Sequence, residues 1–111
     1  MLRGEIYSIN IGKGRGRELS GVHFFVIVTD DFTNSLSWLV SAIPGIDARQ
    51  KKNGIFVSAA ESGLPIDLRF LPNYIRSFDF QRFAKKKALG IVPLAKMEAI
   101  SIKLKGILEI K

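Results

Sequence analysis

The sequence predicts an α+β fold in which short strands curl into a small barrel and one amphipathic helix follows them. Three observations carry this expectation. Residues Gly4 to Ile11 alternate in character, Val22 to Thr29 is almost wholly β-branched or aromatic, and apolar residues recur at helical spacing after Pro93. With 111 residues, 47% of them hydrophobic and 24% charged, the chain can bury one core but not two. A single domain over residues 1–111 is therefore expected.

Taken in order, Gly4 to Ile11 is a strand with Glu5, Tyr7, Ile9 and Ile11 on one face and Ile6, Ser8 and Asn10 on the other. Gly12 to Gly21 holds four glycines and the cations Lys13, Arg15 and Arg17, the composition of a loop. Val22 to Thr29 is a buried strand, and Asp30 to Ser35 closes it in a turn or short helical excursion. Trp38 to Ile43 is a further strand, which Pro44-Gly45 is expected to stop. A charged loop, Asp47 to Gly54, leads into a short strand at Ile55 to Ser58. Gly63 and Pro65 mark a turn, after which Ile66 to Leu71 reads as extended and Ile75 to Phe78 as its continuation beyond Pro72. Asp79 to Lys87 suits a short helix. Pro93 is well placed in a first helical turn. Leu94, Met97, Ile100, Leu104, Ile107 and Leu108 then form one stripe, for the core or a dimer interface. Strands followed by a terminal helix make an SH3-like β-barrel the expected architecture.

Charge points to the partner. Seventeen Lys and Arg against ten Asp and Glu leave a formal +7, which favours nucleic acid as the partner, with an acidic protein as the other candidate. Several chemistries are set aside. The chain has no cysteine, hence no disulfide framework, thiolate zinc site or cysteine nucleophile. Asp30 and Asp31 are adjacent and point to opposite faces of an extended chain, so no metal is expected. No G-x-S-x-G elbow is present, and the Gly-rich loop lacks the Lys-Ser/Thr of a phosphate-binding P-loop. No cofactor is expected. Charged residues at Arg3 and Glu5 precede any apolar run and no run reaches membrane-spanning length, so a cytoplasmic protein fits.

Glycine-spaced cations let both backbone and side chains approach phosphate, which makes Lys13, Arg15 and Arg17 candidate RNA contacts. The alternative is a solvated loop tip. His23 is the only histidine and the only group suited to proton transfer near pH 7, although a partly buried structural histidine is the plainer reading. Arg82 and Lys85-Lys86-Lys87 read as a solvated basic face, with a nucleic-acid patch as the alternative.

Arg3-Gly4-Glu5-Ile6-Tyr7, Gly16-Arg17-Glu18-Leu19-Ser20-Gly21 and Val22 to Thr29 resemble the opening of the PemK/MazF toxins, written R-G-E-I-W, G-x-E-Q-x-G and R-P-V-L-V-x. Leu71 to Asp79 resembles their R-x-D-Q-x-R-T-I-D, with matches at Arg76, Ser77 and Asp79. The resemblance implies a CcdB/PemK/MazF-type barrel and the toxin of a type II toxin–antitoxin system. Such toxins are homodimers that cut single-stranded RNA without metal and are held by an antitoxin with an acidic tail. It further implies that the Gly-rich loop lies over the RNA, with Glu18 at the family's loop glutamate; upstream of Arg76, Leu71 and Asn73 stand at the positions of the family's arginine and acid. The family's arginine position is occupied by His23, and its Thr-Ser pair by Ile43 and Pro44. Ser41, on the strand face of Ile43, is the nearest hydroxyl.

The candidate catalytic residues are thus His23, Arg76 and Ser41, and the candidate RNA contacts are Lys13, Arg15, Arg17, Glu18, Asn73 and Arg76. Two alternatives stand beside this reading: a member that has lost catalysis but still binds nucleic acid or antitoxin, and a CcdB-like topoisomerase poison. The poison requires an indole near the C-terminus, whereas the only Trp here is Trp38.

Overall fold

A computed structural model describes residues 2–16, 19–31, 38–50, 52–83 and 85–108. Its strands are β1 (Glu5–Asn10), β2 (Val22–Ile27), β3 (Leu39–Asp47), β4 (Ile55–Val57), β5 (Leu68–Phe70), β6 (Arg76–Asp79) and β7 (Gly90–Ile91). Helix α1 (Ala59–Ser62) lies between β4 and β5, and helix α2 (Leu94–Leu108) follows β7. The strands form one sheet in the order β4-β5-β3-β2-β1-β7, with β6 joining β3, and every pairing is antiparallel. The result is a curled half-barrel with a C-terminal helix, the class expected from the sequence.

β3 organises the sheet and corrects the expectation that Pro44-Gly45 ends a strand. One edge of β3 pairs with β2. The other pairs first with β6, through Leu39 to Ala42, and then with β5, through Gly45 to Asp47. Pro44 falls at the gap between β5 and β6, and its carbonyl, on that side, accepts from the Leu71 N–H at 2.9 Å. A residue's N–H and C=O point to the same edge of a strand, so the donor that proline lacks faces a place with no ladder to satisfy. Gly45 is required by its neighbour, since a Cβ there would stand 2.8 Å from Cε1 of Phe70. Ile75 to Phe78, expected to continue the preceding strand, does not extend β5. A 3₁₀ turn, Pro72–Tyr74, breaks the chain and sends β6 to the other end of β3.

The two faces of the sheet have separate cores. Ile6, Val26, Ile43, Leu68 and Phe70 pack with Met97 and Ile100 of α2. On the opposite face Tyr7, Ile9, Phe25, Ile27, Val40 and Ala42 pack with Phe78 and Phe83. Phe78 meets Phe25 and Phe83 edge-on at centroid distances of 5.0 and 5.8 Å. The alternation of β1 is realised as expected, with Ile6 in the first core and Tyr7 and Ile9 in the second.

The helical stripe is buried only in part. Met97 and Ile100 are in the core and Leu104 packs against it, whereas Leu94 is 71% exposed, and Ile107 and Leu108 are also exposed. Only the central turns of α2 meet the sheet. The helix expected at Asp79 to Lys87 is a 3₁₀ turn, Phe80–Arg82, capped by the Asp79 carboxylate, which accepts from the Gln81 N–H at 2.8 Å. Helix α1 and strand β7 were not expected. The signal for α1 is Ser58-x-x-Glu61, a capping box in which each side chain accepts from the other's backbone N–H, closed by Gly63 at φ 83°.

Residues Arg3 to Tyr7, the most conspicuous motif, are structural. The Arg3 guanidinium donates to the Ser101 hydroxyl of α2, and its backbone N–H to Asp31. Gly4, at φ 94°, donates to Ile27 O and accepts from Val92 N, pinning β1 between β2 and the approach to α2. Tyr7 is 5% exposed and its hydroxyl donates to Glu5 at 2.9 Å. Burial, with that carboxylate, pushes its pKa up to about 12.

Candidate nucleic-acid interface

The loop between β1 and β2 is closed at its base by two backbone bonds, Ile11 N–H to Gly21 O at 2.9 Å and Gly21 N–H to Gly12 O at 2.8 Å. The Asn10 side chain accepts from the Gly12 N–H at 2.9 Å, and Gly12 and Gly21 take φ of 75° and 83°. These turns carry the loop over the Phe25 side of the sheet, where it walls an open cleft of about 630 Å³. Pro44 and Phe25, a cross-strand pair, line it together with Ile11 and Leu19. Lys13 and Arg15 come from the loop and Arg76 from β6, with Tyr74 beside it. No carboxylate is among the described lining residues.

The structure thus brings together three of the cations singled out in the sequence, from segments about sixty residues apart. Arg76 reaches the cleft because it shares a face of β6 with Phe78, two residues along, and its guanidinium lies over that ring, 4.7 Å from the centroid. Arg82 flanks the same ring at 5.4 Å and donates to Asn10 O at 3.0 Å. A planar guanidinium held on an aromatic face keeps its outer N–H groups for an anion. Arg17 and Glu18 lie outside the described residues.

The remaining candidates fall elsewhere. His23 is on the same face of β2 as Phe25, two residues along and thus about 6.8 Å away, but does not line the cleft. Its Nε2 is 2.8 Å from Ser20 O. A carbonyl only accepts, so Nε2 carries hydrogen and Nδ1 holds the lone pair of the neutral ring. Ser41 is on the opposite face of β3 from Pro44, its hydroxyl 3.4 Å from that of Ser77. Ile43 is fully buried on that same face, against Val26. Of the two positions matching the family's hydroxyl pair, only Pro44 reaches the cleft. Asn73 lines a different cleft of about 600 Å³, between the 3₁₀ turn, the β3–β4 loop and α2. Sequence reasoning missed Tyr74, which lines both clefts; its place after Pro72 and before the Arg76 strand was the available signal.

No helix among the described residues is long and apolar enough to cross a membrane. Comparison with known proteins bears on the family and the fold. A family model described as the PemK-like, MazF-like toxin of type II toxin–antitoxin systems matches residues 2–108. Among solved structures, MazF (form I) from Deinococcus radiodurans superposes with a TM-score of 0.76 at 20% identity, covering 97% of this chain and 96% of that one. An endoribonuclease in complex with its cognate antitoxin, from a mycobacterial species, has a TM-score of 0.71 at 20% identity over 100% and 99% of the two chains. MazE–MazF (form III) from Deinococcus radiodurans has a TM-score of 0.73 at 16% identity over 100% and 98%. At these identities the structural likeness speaks for the fold. No match was found among curated proteins.

Proposed function

The chain belongs to the PemK-like, MazF-like toxins of type II toxin–antitoxin systems, and on that premise we propose that it is an endoribonuclease cutting single-stranded RNA without a metal ion. The observation that carries the proposal is the cleft: three cations, two of them guanidinium groups, around an apolar floor with no carboxylate among its described residues. Cleavage of this kind is an attack of the ribose 2′-oxygen on the adjacent phosphorus. The 2′-proton passes to a base, the 5′-oxygen of the next nucleotide leaves with a proton from an acid, and a cyclic phosphate remains. The cost of the reaction lies in the charge of the pentacovalent phosphorane, which fixed cations in a partly dry cleft stabilise more strongly than water does.

In this reading Lys13, Arg15 and Arg76 hold the phosphate in the cleft, and His23, outside the cleft lining but on the same face of β2 as Phe25, moves the proton through Nδ1, the atom left open by the Ser20 contact. An antitoxin with an acidic tail is the protein partner, as antitoxins are for the related complexes named above. A homodimer accounts for apolar side chains that the fold leaves in water, notably Ile91, Leu94 and Ile102. Light scattering at micromolar concentration should show two chains per particle. The deciding experiment is incubation of the purified protein with a long single-stranded RNA in excess chelator, with the ends mapped. Cyclic phosphate ends at defined sites are expected. Intact RNA that is nevertheless bound, at every pH from about 5 to 8, transfers the reading to a member that binds without cutting, the outcome favoured by Ile43 being buried where the family has a hydroxyl.

A further inference from the structure

We infer that the single-stranded RNA track does not end at the first cleft but crosses the Pro72–Tyr74 turn into the second, with one base stacked on Tyr74. The inference rests on the RNA-cutting reading above and names a further binding segment for the same substrate. Five observations carry it.

The two clefts share a wall. Tyr74 lines both, is 37% exposed, and no other described residue is common to them. An exposed aromatic ring on a ridge between two basic hollows is the arrangement with which proteins track an unpaired strand, phosphates in the hollows and a base on the ring. The ridge is also rigid. Pro72 is buried at the start of the turn, Tyr74 N–H donates to Leu71 O at 3.0 Å, Ile75 N–H to Pro72 O at 3.1 Å, and Leu71 N–H to Pro44 O at 2.9 Å. The turn that carries the ring is therefore anchored to β3, the strand that forms the floor of the first cleft, and its backbone needs little further ordering when a base arrives.

The second cleft is complementary to a polyanion. Lys52 enters from the β3–β4 loop and Lys103 from α2, while Asn53 and Asn73 supply neutral groups able to pair with base edges. Lys103 and Ile107 sit one helical turn apart on the same face of α2, so that a cation and an apolar surface meet the strand together. No carboxylate is among the described residues lining either cleft, whereas the third hollow of the surface contains Asp47 and Asp67. The size is adequate as well, since the second cleft, about 600 Å³, nearly equals the first at about 630 Å³. Finally, this placement explains Asn73, which the sequence marks as an RNA contact and which the structure sets in the second cleft.

The test uses 2′-O-methylated, mixed-sequence RNA oligomers, which cannot be cut, of roughly four and roughly ten nucleotides. Affinities are measured for the full chain and for K52A/K103A, Y74A and Y74F, with circular dichroism confirming the fold of each. The ten-mer should bind the unaltered chain more tightly than the four-mer. K52A/K103A should remove most of that gain, leave the four-mer unchanged, and lower the ten-mer's log–log salt slope by roughly 1.4. Y74A should weaken the ten-mer about 5- to 150-fold, the range for losing one base–aromatic stack, and Y74F should restore it. A ten-mer bound equally by the unaltered chain and K52A/K103A, with Lys13 and Arg76 still required, overturns this inference and leaves the proposed function standing. So does a result in which K52A/K103A weakens only an acidic peptide, which assigns the second cleft to a protein segment. Binding of neither oligomer removes the RNA reading and this inference together.

Discussion

If the first cleft grips phosphate, replacing Lys13 and Arg76 together with alanine should change the salt dependence of RNA binding by a calculable amount. Both side chains line the cleft, and they approach it from opposite sides, one from the loop and one from β6. Each contact to a single strand contributes roughly 0.7 to the slope of log affinity against log salt, so the double substitution should lower the slope by roughly 1.4. Between about 50 and about 200 mM salt the unaltered protein should therefore lose about sevenfold more affinity than the variant. The assay is fluorescence anisotropy with a labelled, uncleavable single strand across that range. Two controls separate charge at the cleft from charge in general. Arg76→Lys keeps the cation and should keep the slope while losing the planar stack on Phe78. Arg49→Ala removes one charge from a distant hollow where the guanidinium is bound to Asp47 at 2.7 Å, and should leave the slope unchanged. A double variant that folds normally and shows the original slope would refute the assignment of this cleft and return the loop to a solvated surface.

Other outcomes follow from the same geometry. His23→Ala should slow RNA cleavage by about 100- to 10,000-fold, the range for a positioned acid or base, while affinity changes little; equal losses in both would make the histidine structural. Gly45→Ala should destabilise the fold by about 1–3 kcal/mol, because the new Cβ meets Phe70, a fully buried ring with no room to withdraw, and denaturant midpoints measure it. Asp47 should titrate at about 2 by carboxyl NMR, held low first by the Arg49 side-chain hydrogen bond and then by the Arg49 N–H. Arg49→Ala should move it back toward 3.8. Since the folded value lies below the unfolded one, the contribution to stability is present above 3.8 and is lost as pH falls through about 2. A midpoint that does not respond to Arg49→Ala near neutral pH but does so in acid would have the sign wrong.

Much of the fold was legible because it depends on local period. β1 announces itself by alternation, β2 by its run of β-branched and aromatic residues, and α2 by Pro93 and the spacing of Met97, Ile100 and Leu104. The cationic character of the loop was equally plain, since glycine spacing and charge are properties of the chain itself. Pro44 was misread because its effect depends on what lies beside it: proline breaks a ladder only where a partner strand waits for its N–H, and here none does. The exposure of Leu94 and Ile107 was hidden for a related reason, as a stripe shows which side of a helix is apolar but not how much of its length the sheet covers. The site required the tertiary structure most of all. Lys13 and Arg76 are far apart in sequence and meet only because β6 returns to β3, while Ser41 and Pro44, three residues apart, are separated by the pleat onto opposite faces. Alternation along one strand can be read from the residues, but adjacency between strands is set by where the Pro72–Tyr74 turn redirects the chain, and that is decided by packing against β3 and α2.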